Sequence, residues 1–273
     1  MTYSTLMVQL ELGQPNTDVL RITADLARRF DAAVIGIAAC QPMQMVVGDG
    51  YICGDLIAEN DHLVVAELAA AESQFRTALA SSSGALSWHG SLSCSSIADY
   101  IAQAARGADL IIAGTAPDAA ADVQRRLNLD DLVMQAGRPL LVVPPGAALL
   151  QRVLVGWKDT RETRRAIVDA LPLLKMAAQV VVVELDHAGE QEAAQGRLDE
   201  VCAWLHRHGV EATAVAAVSH GDDAKQLQDI ADAHQAHVIV AGAFGHSRLL
   251  EWVLGGMTRN LLAPVRRCSL LSH

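Results

Sequence analysis

The stretch Gly242-Ala243-Phe244-Gly245-His246-Ser247-Arg248, continued by Leu249-Leu250-Glu251-Trp252-Val253-Leu254-Gly255-Gly256-Met257-Thr258, leaves the apolar run Val238-Ile239-Val240-Ala241. A short, continuously apolar run of this kind reads as a parallel strand buried on both faces. Two glycines three apart at its end let the backbone turn sharply and come close to a ligand, because neither carries a Cβ. Gly255 and Gly256 then precede Thr258, whose hydroxyl suits the cap of a helix beginning there. A helix start presents free amide groups and the positive end of its dipole, and both favour an anion. The stretch is not a P-loop, since no Gly-Lys-Ser/Thr follows its glycines. It points to a ligand, not to a reaction.

Working outward, the chain reads as two copies of one design. Leu6–Leu10 and Val153–Trp157 each open a copy as a short apolar strand. Helical spacing follows each, at Val19, Ile22 and Leu26 in the first copy and at Ala166, Ile167, Ala170, Leu171 and Leu174 in the second. Second strands come at Ala33–Ile37 and Val180–Val183, and Leu110-Ile111-Ile112-Ala113-Gly114 matches Val238-Ile239-Val240-Ala241-Gly242. Strands alternating with helices argue for right-handed crossovers and parallel sheets.

The spacing G-x2-G-x9-G, set in this repeated order, resembles the nucleotide-phosphate loop of the universal stress protein family, whose members often bind ATP. The resemblance covers nearly the whole chain. It implies an α/β protein of two tandem open parallel-sheet domains, of the nucleotide-binding kind called flavodoxin-like or adenine nucleotide hydrolase-like. Residues 1–146 would form a first domain with a degenerate glycine loop, and 147–273 a second with the full pattern. The implied function is that of a cytosolic stress-response protein binding ATP or a related adenine nucleotide in the second domain, with Mg2+ as an optional companion. The implied site is Trp157, Lys158, Asp159 and Thr160 at the end of the first strand, with Gly242, Gly245, His246, Ser247, Arg248, Gly255, Gly256, Met257 and Thr258. Open α/β sheets bind ligands beyond the carboxyl ends of their strands, so both groups should face one crevice. Lys158, Arg248 and Arg259 would supply its positive charge.

Two positions depart from the family pattern. Gly256 stands where a Ser or Thr usually reaches a phosphate, leaving a backbone amide there; Thr258 matches a second hydroxyl position. Lys158 stands where the family tends to place an Asp, and the carboxylate moves to Asp159. That lysine either pairs with a phosphate or lies in solvent.

The first copy has lost more. After Gly114 it runs through Pro117 and Asp118, with Asn128, Asp130 and Asp131 where the later glycines would fall. Carboxylates at a helix start repel phosphate while still serving as caps, so no ATP is expected in this half. Cys40–Asp61, with Met43, Met45, Gly48, Gly50, Tyr51, Cys53 and Gly54, reads as a long loop with few helix signals. It either folds over the sheet edge on its apolar residues or contacts a small apolar ligand or a partner. Asp222-Asp223 reads as a helix start, and His206-Arg207-His208 as a polar helix end near Gly209.

Composition bounds the alternatives. With 273 residues and 51% hydrophobic content, the chain suits two folded domains. A net charge of −10 opposes non-specific nucleic-acid binding, which needs Lys and Arg on phosphates. No apolar run reaches the ~20 residues of a membrane span, and no secretory leader is evident at the start. Five scattered cysteines without C-x-x-C favour reduced thiols of a cytosolic protein. His234, His237, His206, His208 and His220 lack the spacing of a full ligand set, so no metal site is expected. No catalytic residue is identified: hydrolytic motifs are missing, and at most a weak ATP hydrolase fits. A scaffold that acts through its surfaces is the remaining alternative. The partners expected are an adenine nucleotide and the two halves paired with each other through their final strands, with a homodimer compatible.

Overall fold

A computed structural model describes residues 2–42, 54–82, 84–92, 96–115, 125, 127–187, 189–243 and 267–273. The chain divides into two compact units, Ser4–Ala136 and Met1–Tyr3 with Gly137–His273. Both alternate strands and helices, as the sequence periodicity requires.

In the Ser4–Ala136 unit the strands are β1 (Thr5–Gln9), β2 (Ala33–Cys40), β3 (Leu86–Leu92) and β4 (Leu110–Gly114), interleaved with α1 (Thr17–Phe30), α2 (Gly54–Ala78) and α3 (Ile97–Ala104) and followed by α4 (Leu129–Gln135). Their order is β3-β2-β1-β4 and every pairing is parallel. Leu6, Met7, Val8, Ile111 and Ile112 are fully buried, which is why β1 and β4 read as unbroken apolar runs rather than alternating ones. At the edge, β3 alternates more and is half exposed. The helix starts follow local chemistry. Asn128 caps α4 by accepting from the Asp130 and Asp131 amides at 3.0 and 3.3 Å, and Ser96 caps α3 through the Asp99 amide. Burial, then the neighbouring Asp131, pushes the Asp130 carboxyl up.

The segment read as a loop from Cys40 to Asp61 gives way to helix at Gly54, and α2 runs for 25 residues. Its Asp55-Leu56-Ile57-Ala58-Glu59 start is made of ordinary helix formers, whose propensity the glycines and methionines before them hid. Met43, Met45, Gly48, Gly50, Tyr51 and Cys53 lie outside the described residues.

The second unit holds β5 (Leu140–Val143), β6 (Arg152–Trp157), β7 (Gln179–Asp186), β8 (Ala212–Val218), β9 (Val238–Gly242) and β10 (Cys268–Ser272), with α5 (Arg161–Met176), α6 (Gln191–Arg207) and α7 (Asp223–Ala233). The order is β5-β10-β9-β6-β7-β8. All pairs are parallel except β5 with β10, where Leu141 faces Leu270 in antiparallel register. That pairing groups β5 with this unit. The Tyr3 hydroxyl donates to the Asp169 carbonyl at 2.6 Å, which ties the first residues here as well.

Asp222 caps α7 by accepting from the Lys225 amide, as its sequence position suggested, and α6 gives way at His208 to Gly209 with φ +77°. His237 does structural work: its Nδ1 accepts from the Gln151 and Arg152 amides at 3.2 and 3.3 Å. Burial, then the charge of Arg152, lowers its pKa. Among the described residues no helix is long and apolar enough to cross a membrane, and no His/Cys/Asp/Glu group is arranged to hold a metal.

Candidate functional site

In the second unit the chain leaves β6 through α5 toward β7, whereas β10 lies on the other side of β9. The strand order therefore reverses between β6 and β9, and the crevice of an open α/β sheet forms at the carboxyl ends of such a pair. Val153 to Val155 align with Val238 to Val240. Continuing that register puts Trp157 beside Gly242. The two groups of residues expected from sequence, Trp157–Thr160 and Gly242, thus emerge at one place. Gly245, His246, Ser247, Arg248, Gly255, Gly256, Met257 and Thr258 lie outside the described residues, as does Arg259.

Gly242 owes its identity to a neighbour. A Cβ there would sit 2.6 Å from the Thr163 amide nitrogen and 2.7 Å from the Glu162 carbonyl carbon, both backbone atoms of the first turn of α5. Only glycine lets the helix start come this close to the strand end. The amide end of α5 is thereby held against the exit of the glycine-rich stretch. Thr160 caps the helix: its Oγ1 accepts from the Thr163 amide at 3.4 Å and lies 3.3 Å from the Thr163 hydroxyl.

The charges around this helix start run against its dipole. Lys158, Arg161, Arg164 and Arg165 cluster at the positive end, where cations are unfavourable. Carboxylates offset part of this. Asp159 accepts from Arg164 at 2.5 Å, Arg165 lies 3.6 Å from Asp169, and Arg161 donates to Glu162 at 2.5 Å. The Arg161 hydrogen bond, then the backbone N–H of Glu162 itself, holds that carboxyl down to about 2. The Arg161 side chain is nevertheless 82% exposed, and Lys158 is exposed too. Lys158 and the outer face of the Arg161 guanidinium thus look onto solvent at the helix start, where an anion can reach them.

Beyond β6 the rim turns acidic but is neutralised. Glu184 stands opposite Trp157 in the β6–β7 register. One of its oxygens accepts from Arg197 Nε and Nη2 at 2.9 and 2.6 Å, and the same guanidinium reaches Asp186 at 2.5 Å. The His187 amide, then Arg197, lowers the pKa of Asp186. Trp157 Nε1 and Glu184 Oε2 are both buried and have no hydrogen-bond partner among the described residues. Sequence reading missed Arg161, Arg164, Glu184 and Arg197. The signal for the first two was available, since Arg161-Glu162-Thr163-Arg164-Arg165 places three cations at the wrong end of a helix. Arg197, from the second turn of α6, could be placed against β7 only by the fold.

The equivalent end of the other unit is built differently. The loop after β1 is held by Asn16, whose Nδ2 donates to the Glu11 and Gln14 carbonyls at 3.0 and 3.1 Å. Pro117 and Asp118 lie outside the described residues, while Asn128, Asp130 and Asp131 form the start of α4.

No family model matches the chain, and no curated protein matches it either. Solved structures do. A universal stress protein from Archaeoglobus fulgidus DSM 4304 superposes over 98% of this chain and 98% of its own, with a TM-score of 0.71 at 12% identity. The chain has the universal stress protein fold. A Pseudomonas aeruginosa UCBPP-PA14 protein described provisionally as a universal stress protein covers 99% of this chain and 93% of its own, with a TM-score of 0.58 at 16% identity. At these identities the likeness speaks for the fold alone. An Archaeoglobus fulgidus universal stress protein in complex with dAMP aligns with 52% of this chain at a TM-score of 0.32, too weak to carry its ligand over.

Proposed function

We propose that this chain is a tandem universal stress protein that binds ATP or a related adenine nucleotide in its second half, between the carboxyl ends of β6 and β9. The observation that carries this reading is the meeting of the Gly242 exit with the capped, arginine-bearing start of α5 at the reversal of strand order. The amides of the Gly242–Thr258 stretch would hold the phosphates, with Lys158 and Arg161 neutralising charge in a protein of net charge −10. Trp157 offers an aromatic surface where the strand ends, suited to a base or ribose. Mg2+ would travel with the phosphates. The role we infer is binding in a cytosolic stress response, since no residue of the sequence reads as a base for water.

The halves would pair with each other as two repeats divided near Gly146, and a homodimer of chains is compatible. A thermal-shift titration tests the binding. ATP at about one hundred times its Kd should stabilise the folded chain by about 2.7 kcal/mol. Gly255→Glu, which places a carboxylate in the phosphate loop, should abolish that shift. An unchanged melting temperature at millimolar ATP would count against the proposal.

A further inference from the structure

In the Ser4–Ala136 unit, α2 lies across the loop that leaves β1, the place where this fold opens a crevice. Two of its side chains, Glu67 and Gln74, are seven residues apart and so share one face of the helix. Gln74 Oε1 accepts from the Asn16 amide and from Asn16 Nδ2, both at 3.2 Å, and its Nε2 donates to the Gln14 carbonyl at 3.4 Å. Glu67 lies against Gly13, whose φ is +68°; a Cβ there would be 3.0 Å from Glu67 Oε1 and 4.0 Å from an Arg125 nitrogen. Arg125 comes from the connection between β4 and α4. Its Nη1 donates to both Glu67 oxygens at 2.6 Å. The pair is largely enclosed, with side-chain exposures of 21% for Arg125 and 16% for Glu67.

Three parts therefore meet at the carboxyl end of β1: a glycine-bearing loop, an arginine arriving from beyond β4, and an anion. One guanidinium nitrogen shared between both oxygens of a carboxylate is a short, charge-assisted contact, and arginine makes such contacts with carboxylates and phosphates alike. Here the anion is the chain's own. We infer that Glu67 is an internal ligand, occupying with its carboxylate an anion site formed by Arg125 and the Gly13 loop, so that this half is closed to phosphate by self-occupation. The inference stands apart from nucleotide binding in the other half. It also accounts for the absence of a second glycine loop here, since a site filled from within needs no ring of amides.

The experiment measures pyrophosphate binding by calorimetry on the full chain carrying Gly255→Glu throughout, so that the phosphate loop proposed in the other half does not contribute. Glu67→Gln keeps the shape of the side chain and removes its charge, and Glu67→Ala empties the position. Either should bind pyrophosphate about tenfold or more tightly than the same chain with Glu67 in place, the scale of one charged hydrogen bond. The gain should vanish in the double variant Glu67→Ala, Arg125→Ala. With Glu67 in place, Arg125→Ala should leave pyrophosphate affinity unchanged, because its guanidinium is already occupied. A folded Glu67→Gln chain with no gain would overturn the inference. So would a loss of affinity on Arg125→Ala alone, a result that can be read even if both Glu67 variants fail to fold.

Discussion

At Gly242 the smallest side chain meets the tightest contact of the candidate site. The sequence flagged this glycine for the freedom of its backbone beside a ligand, whereas the structure gives it a second duty as the seat of α5. Gly242→Ala must push the helix start away from β9, since the atoms 2.6 and 2.7 Å from the added carbon are backbone and cannot rotate aside. Overpacking of this kind costs about 1–3 kcal/mol. Urea unfolding should show that loss, together with weaker ATP binding as the helix start and glycine stretch separate. His237 supports a second prediction at this scale. Its neutral Nδ1 accepts two amides, and its pKa is lowered from the ordinary 6.5. The folded chain therefore resists the proton that the unfolded chain accepts, and stability should fall as pH drops below about 6.5. Above that value the residue is neutral in both states and adds no pH dependence. His237→Asn, which retains an acceptor, should flatten this part of the profile measured by chemical unfolding. Glu162 acts at lower pH: its carboxyl is held down to about 2, so its stabilisation is complete above the ordinary 4.5 and drains away as pH falls toward 2.

At the level of elements, α5 and α2 are used in opposite ways. The start of α5 carries arginines where the dipole disfavours them, and Arg161 remains open to solvent. Arg161→Ala should weaken ATP binding about tenfold, the worth of a charge-assisted contact, and should also lower the melting temperature of the free protein, because the buried Glu162 carboxylate loses its Arg161 partner. The same variant should show a shallower dependence of affinity on salt, because one screened attraction is gone. These elements also show what could be read in advance. The apolar runs at Leu6–Leu10, Leu110–Gly114, Val153–Trp157 and Val238–Ala241 gave strands at their stated places, since two-sided burial leaves a plain apolar signature. The beginning of α2 was hidden by the methionines and glycines before it. Its contacts through Glu67 with Arg125 and through Gln74 with Asn16 were hidden for another reason: partners 58 residues apart leave no local pattern. Arg197 reaching Glu184 and Asp186 is invisible for the same cause.

For the molecule as a whole, two units that both alternate strands with helices differ in the chemistry of their strand ends. One unit presents a capped helix start with cations beside the exit of a glycine-rich stretch. In the other, an arginine from beyond β4 is gripped by a glutamate of the chain itself. The repeat was legible because the apolar runs recur in the same order; the difference between the halves was legible only as lost glycines, and its physical content came from side chains brought together by the fold. An asymmetric protein of this kind should take up a single nucleotide per chain. Calorimetric titration of ATP onto the nucleotide-free, full-length protein measures that directly. Saturable binding of a single ATP per chain is expected, lost in Gly255→Glu and retained in Arg125→Ala. No heat of binding at millimolar ATP, or binding that survives Gly255→Glu, would contradict it.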